Sequence, residues 1–250
     1  MYNDEKTVST SYIRNRTVLA FVFFFLFLSG SFFGWKWLHK QPVEAGALKP
    51  LRSVLNFNET FFTNIFSGNH LAKSFPVSNA VPRVRVNGDA GMSEDFDPAS
   101  WKMHLVKKPG DTLLITMAEI KALPKTDIVF DFKCIEGWSQ VTHWAGVKFS
   151  DFAKHYGLDE QTNLKFTGLV TPDEEYYVGI DNKSMMHPQT ILCYEMNGAP
   201  LPLNQGFPLR LIIPVKYGIK NLKRIGTISF SNARPKDYWY ERGYDYYSGL

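Results

Sequence analysis

Cysteine is the scarcest reactive residue here: a chain of 250 residues carries two, Cys134 and Cys193, and no C-x-x-C pair. Zinc-ribbon, iron–sulfur and thioredoxin-like chemistries need closely spaced thiols, so this spacing excludes them. Arginine is missing between Arg85 and Arg210. An anionic substrate calls for fixed cations at the reacting centre, and this interval offers no guanidinium for the purpose. The net charge is +4, yet no basic, aromatic-interleaved patch or nucleic-acid motif accompanies it. Nucleic acid is therefore set aside as a partner. No internal repeat is present.

Charge is also absent from Thr17 to Trp35, in TVLAFVFFFLFLSGSFFGW. With the residues that follow to Leu38, the run has about the length needed to cross a hydrocarbon core as a helix, and Trp35 and Trp37 stand where an interfacial aromatic belt would. A cleaved signal peptide is the competing reading, with Arg14 and Arg16 as its basic start and Ser29 and Ser31 near a cut. The apolar character continues past that cut through Phe32, Phe33, Trp35 and Trp37, which favours an uncleaved anchor. Basic residues flank both ends (Lys6, Arg14 and Arg16 against Lys36, Lys40, Lys49 and Arg52), so the positive-inside rule does not choose a side.

The expected organisation is a tail over 1–16, an anchor over 17–38, a linker and arm over 39–80, and one domain over 81–250. The arm is too aromatic for a free tether and too rich in Asn, Ser and Gly for a long helix, so it is expected to be extended and packed on the domain. In the domain, VPRVRVNG, WKMHLV, TLLITM, TDIVFDF, NLKFTGLV, EYYVGI, TILCYEM, LRLIIP and RIGTISFS read as strands. AEIKALP, VKFSDFAKHYG and KSMMHP read as short helices, the second with Gly157 as C-cap. Short helices scattered among many strands predict an α+β fold with a mixed sheet.

The strand TDIVFDF runs into Cys134 and then, at Glu136-Gly137, into an expected loop reaching Gly146. A thiolate held at a strand exit can be a nucleophile, half of a redox pair or a soft metal ligand; the bland alternative is a small buried hydrophobe. Cys193, in an apolar strand, fits the bland reading better. A cysteine hydrolase would need a histidine base within reach of the thiol, which His143 keeps open.

Four motifs occur in order: C-I-E-G-W-S-Q-x-x-x-W-A-G from Cys134, then M-M-H-P-Q-T, N-G-A-P-L, and G-F-P-L-R-L-I-I-P-x-K-Y-G-I-K-N-L-K. Together they resemble the catalytic domain of the sulfite-oxidase-fold molybdopterin oxidoreductases. The similarity is closest to the bacterial periplasmic branch typified by the catalytic subunit of the protein-methionine-sulfoxide reductase, and it covers roughly Pro82 to Ser231. The resemblance implies a molybdenum-molybdopterin cofactor, with Cys134 as the metal's protein ligand and Trp138 and Trp144 as aromatic walls. It also implies Arg210 and Lys223, with the backbone around Asn221 and Leu222, as phosphate-side donors. Gln205 stands where the family has asparagine, and Asn56 or Asn58 matches an upstream pterin-contacting asparagine. His187 either holds the pterin loop or is a satisfied core histidine. His143 departs from the family pattern and is an expected proton donor next to the metal.

Sulfite oxidases proper carry arginines just after the cysteine, which this chain lacks. The expected function is therefore oxygen-atom transfer that reduces S-oxides such as protein methionine sulfoxide, with electrons from a membrane haem or quinol donor. The alternatives are a sulfite-oxidase-like enzyme or a metal-free, membrane-tethered binding module. The resemblance also implies an inner-membrane protein with a periplasmic domain, although R14-N-R16 interrupts the twin-arginine pair that such export uses.

Overall fold

Ser9 accepts the Tyr12 amide on its hydroxyl and so caps α1, Thr10–His39, satisfying one of the donors a helix start leaves open. The computed structural model describes residues 8–65, 70–86 and 88–250. At 1.5 Å per residue the 30 residues of α1 extend about 45 Å, and none of its side chains is buried. The helix is long and apolar enough to cross a membrane. It begins within the expected polar tail, so residues 10–16 are helical; residues 1–7 lie outside the described residues.

A two-stranded hairpin, β1 (Val43–Glu44) and β2 (Ala47–Leu48), turns through Ala45 and Gly46, both at positive φ. The chain then forms α2, Lys49–Ile65, where an extended arm was expected. Tertiary anchoring outweighs the weak helix propensity of Asn and Ser in this segment. Arg52, 1% exposed, donates to the carbonyls of Glu44, Ala45, Tyr240 and Tyr244 and stacks 4.2 Å from the Tyr240 ring centre. Two helical turns later, Glu59 pairs with Arg234 at 2.6 Å.

Residues 81–86 form no strand, contrary to expectation, and Asn87 lies outside the described residues. Pro82 has no N–H to give a ladder; Val81 instead donates to the Val141 carbonyl and Arg85 to the Gln140 side chain. Regular structure resumes with β3 (Met103–Lys108), β4 (Asp111–Ile115) and α3 (Met117–Lys121), which Thr116 and Glu119 close with a reciprocal capping box. Next come β5 (Lys125–Lys133), β6 (Ser139–Lys148), α4 (Phe149–His155) and α5 (Asp159–Thr162). β7 (Phe166–Val170), β8 (Tyr177–Asp181), α6 (Asn182–Met185), β9 (Ile191–Met196), β10 (Ala199–Pro200), β11 (Arg210–Ile212) and β12 (Thr227–Ser231) complete the fold.

One sheet has the order β10-β9-β6-β5, with β11 also on β9; the other has the order β4-β3-β12-β7-β8. β12 runs parallel to β3 and antiparallel to β7, so the second sheet is mixed and the class is α+β. Asn197 and Gly198, both at positive φ, make the β9–β10 turn that N-G announces. α4 starts later than its sequence suggests, because Val147 and Lys148 still pair with Leu192 and Ile191. Its Phe149 and Phe152 are fully buried with Met103, Leu169, Leu211 and Ile228, so side chains of both sheets share one core. Each such phenylalanine stabilises the fold by about 1.5–3 kcal/mol. A smaller cluster holds Phe130, Trp144, Ile191 and Cys193.

Candidate active site

β5 delivers Cys134 to the mouth of a tight connection. The Cys134 amide donates to the Trp138 carbonyl at 2.9 Å and the Gly137 amide to the Cys134 carbonyl at 3.1 Å. Gly137 takes φ 88°, a conformation that favours glycine. The connection therefore closes by Trp138, and β6 begins at once, where a longer loop was expected. Thr142, His143 and Trp144 are strand residues with His143 opposite Val129 and Ser139 opposite Lys133. Four pairs at about 3.3 Å each separate His143 from the Cys134 end of the hairpin, on the order of 13 Å.

Cys134 is 3% exposed and lines a cavity of about 740 Å³, its open mouth included, together with Trp138, Trp144, Gln205, Arg210, Asn221 and Lys223. These come from the β5–β6 connection, β6, the turn before β11, β11 itself, and the segment after it. Gly206 permits this convergence: a Cβ there would lie 2.9 Å from the Arg224 amide nitrogen and 3.0 Å from Lys223 Cα.

Arg210 is 3% exposed. It donates from Nη1 to the Gln205 carbonyl and Oε1, both at 3.0 Å, and from Nη2 to the Asn221 carbonyl at 3.3 Å. Its guanidinium lies 4.6 Å from the Trp144 ring centre. Nε is buried and has no hydrogen-bond partner among the described residues. Burial pushes the guanidinium pKa down to about 10, so Arg210 is charged at neutral pH against dipoles alone. Lys223 donates to the Gly88 carbonyl at 2.8 Å. Burial, and then Arg210, lower its pKa to about 8. Two cations held on one wall, one with an unused donor, make an anion-binding end.

The other expected residues fall in different places. The Gln205 amide holds Arg210 through Oε1 and the Val84 carbonyl through Nε2. The Asn221 side chain ties its own turn to the end of β11, accepting from the Ile213 amide at 2.7 Å and donating to the Tyr217 carbonyl at 3.0 Å. Leu222 lies in the main core and off the cavity. Asn56 is half-buried on α2, also away from the cavity. His187 is 1% exposed and bonds the His70 carbonyl through Nε2 at 3.1 Å; burial pushes its imidazole pKa down. His143 bonds Asp127 at 2.8 Å and is not on the cavity wall. That corrects its expected place beside the metal and removes the nearby base a cysteine hydrolase would need. Cys193 is fully buried with its thiol pushed up to about 12 by burial.

Sequence reasoning missed Arg85, Phe132, Tyr176 and Trp239, all on the cavity wall. Arg85 stacks 4.8 Å from the Trp138 ring centre, so a guanidinium from outside the arginine-free interval reaches the site. The Tyr176 hydroxyl donates to the Ile219 carbonyl at 2.6 Å, and burial pushes its phenol above the usual range. Only the strand pattern of EYYVGI and the aromatic tail hinted at Tyr176 and Trp239.

Among the described residues no group of three or more His, Cys, Asp or Glu could hold a metal ion. A metal at Cys134 would thus take its remaining ligands from a small molecule. One thiol at one part of the cavity and an unused guanidinium donor at another fit a metal carried by a phosphate-bearing organic ligand.

Residues 90–239 match the model of the oxidoreductase molybdopterin-binding domain. A protein of Azospira oryzae provisionally named protein-methionine-sulfoxide reductase subunit YedZ1 is 34% identical over 84% of this chain and 78% of its own length. The protein-methionine-sulfoxide reductase catalytic subunit MsrP of Xanthomonas axonopodis is 31% identical over 54% of this chain, which spans 45% of that relative. Among solved structures, the sulfane dehydrogenase SoxCD of Paracoccus pantotrophus superposes with a TM-score of 0.49 and 15% identity, covering 56% of this chain and 40% of that one. With the matched segment running through Cys134, Arg210 and Lys223 and taking in more than half the chain, this protein belongs to the molybdopterin-binding oxidoreductase family.

Proposed function

We propose that the chain is a membrane-anchored molybdenum-pterin oxidoreductase that reduces S-oxides, methionine sulfoxide in proteins among them. Electrons would come from a haem or quinol donor in the membrane beside α1, with the domain on the periplasmic side of the inner membrane. The observation that carries the reading is the shared cavity of Cys134 and Arg210. The names of the relatives supply the substrate class.

Cys134 would ligate the metal as a thiolate, and its closed connection would fix the sulfur's direction. Arg210, already oriented by Gln205 and Asn221, would present Nε to a phosphate, with Lys223 as a second cation. Trp138 and Tyr176 shape the slot beside the thiol, and a neutral S-oxide needs little more than such a slot and a hydrogen-bond donor. When bound, the group supplies two-electron oxygen-atom transfer. The chain binds, orients and excludes water.

Arg85 favours a second reading, oxidation of an anion such as sulfite, because it restores a cation to the cavity wall. Molybdenum-loaded protein assayed for reductant-driven methionine sulfoxide reduction and for sulfite-driven acceptor reduction separates the two. Sulfoxide turnover without sulfite turnover is the expected result, and the reverse overturns the substrate assignment. A stable fold that takes up no molybdenum under loading conditions would instead favour a tethered binding module.

A further inference from the structure

α2 wears its amphipathicity inside out. Its polar side packs on the domain, through the fully enclosed Arg52 and through Glu59. Leu51, Val54, Phe57, Phe61, Phe62 and Ile65 are 48, 57, 68, 52, 50 and 62% exposed. At about 100° per residue these six fall on one face spanning roughly 140°, within which the exposed Asn58 is the one polar side chain. No charged residue interrupts it, since Lys49, Arg52 and Glu59 project elsewhere on the helical wheel. Soluble monomers rarely leave so large a contiguous apolar patch uncovered.

The position of α2 identifies what covers that face. The Lys49 amide donates to the Pro42 carbonyl at 2.9 Å, so α2 begins beside a residue three positions past His39, where α1 ends. Three residues reach at most about 11 Å. The near end of α1 carries exposed Trp35 and Trp37, the residue type that settles at a bilayer surface. An apolar helix face starting this close to such an end, and joined to it by the β1–β2 hairpin, would lie near the level of the headgroups if α1 crosses the bilayer.

We propose that α2 is an interfacial helix whose apolar face is embedded in the surface of the bilayer that α1 crosses, seating the cavity-bearing domain on the membrane. The proposal rests on α1 as an anchor and is independent of the cofactor. Lipid is the occupant because the stripe begins beside the end of α1, carries no charge, and has the large apolar and aromatic residues that interfacial helices insert.

The test uses the full chain in vesicles of phosphatidylethanolamine and phosphatidylglycerol. Spin labels are placed singly through Val54→Cys, Phe57→Cys, Phe61→Cys and Ile65→Cys, with Ser53→Cys and Thr60→Cys on the exposed polar flank of α2 and Leu26→Cys inside α1. Both native cysteines are buried, which directs labelling to the introduced one. Collision with oxygen is expected to exceed collision with a water-soluble nickel chelate at 26, 54, 57, 61 and 65, and the order is expected to reverse at 53 and 60. Phe57→Ser with Phe61→Ser, changes at exposed positions, should turn the Val54 label nickel-accessible without altering molybdenum content. A lipid-buried Leu26 label with a nickel-accessible stripe overturns the proposal alone. Nickel access at Leu26 overturns the anchor and this proposal with it. A stripe shielded from both reagents, or coupled label to label, shows a protein or a second copy there and refutes lipid as the occupant.

Discussion

Arg210→Met separates a structural arginine from a cofactor-binding one, because the two roles give opposite results in the empty and loaded protein. In the empty chain the pKa of Arg210, lowered from 12.5 to about 10, means that the fold disfavours its charge by about 3 kcal/mol. Its three hydrogen bonds stabilise it by roughly 1.5 kcal/mol each, the low end for a charged donor. Their acceptors border an open cavity in which water can replace the guanidinium. The terms nearly offset, so the empty variant should unfold within about 2 kcal/mol of the wild type. The loaded chain loses a charge-assisted phosphate contact as well, typically about 2–5 kcal/mol, which is roughly a 30-fold or greater loss of pterin retention. Thermal melts of metal-free protein, with molybdenum per chain after gel filtration of loaded protein, read the two quantities. An empty variant that loses more than about 4 kcal/mol while retaining its metal would refute the reasoning and make Arg210 a scaffold residue.

Cys134→Ser should abolish molybdenum retention while leaving the far-UV circular dichroism and melting temperature near wild type, since the change would remove the proposed ligand and almost no packing volume. Cys193→Ala should do the opposite: metal retained, and stability lower by about 1 kcal/mol from a small core void. His143→Ala should leave turnover unchanged and cost at most about 1 kcal/mol, because its partner Asp127 is 55% exposed; a tenfold fall in turnover would return it to the chemistry. Lys223, with a folded pKa of about 8 against the ordinary 10.5, is charged below about pH 8 and loses its proton above. Pyrophosphate affinity of the metal-free chain, measured by titration calorimetry, should therefore fall as pH rises through and beyond about 8, and Lys223→Met should flatten that dependence. The unfolded chain binds the proton more tightly, so the same group should make the fold more stable between about pH 8 and 10.5.

The site was legible where residues act from within their own local segment. Cys134 follows an alternating strand and precedes a Glu-Gly break, and the G-F-P-L-R and K-N-L-K motifs carry Arg210 and Lys223 to the same cavity. The β6 strand was obscured because Ser139–Lys148 contains polar Gln, Thr and His, which read as loop until β5 and β9 supply partners on both sides. Arg85, Tyr176 and Trp239 reach the cavity from distant segments, and long-range convergence leaves no local spacing to read. α2 was misjudged on propensity alone: its helix depends on Arg52 finding carbonyls almost two hundred residues away, at Tyr240 and Tyr244. His143 shows the converse error, in which nearness in sequence to Cys134 was taken for nearness in space.

Those distant carbonyls also impose an order on biosynthesis. Arg52 fastens α2 to the carbonyls of Tyr240 and Tyr244, so its socket does not exist until the ribosome has passed Tyr244. The sheets and the pocket between Cys134 and Arg210 can therefore mature while the joint next to α1 is still loose, and the joint locks only once Tyr240 and Tyr244 have been made. A chain truncated before Tyr240 would keep every strand yet hang slackly from its tether.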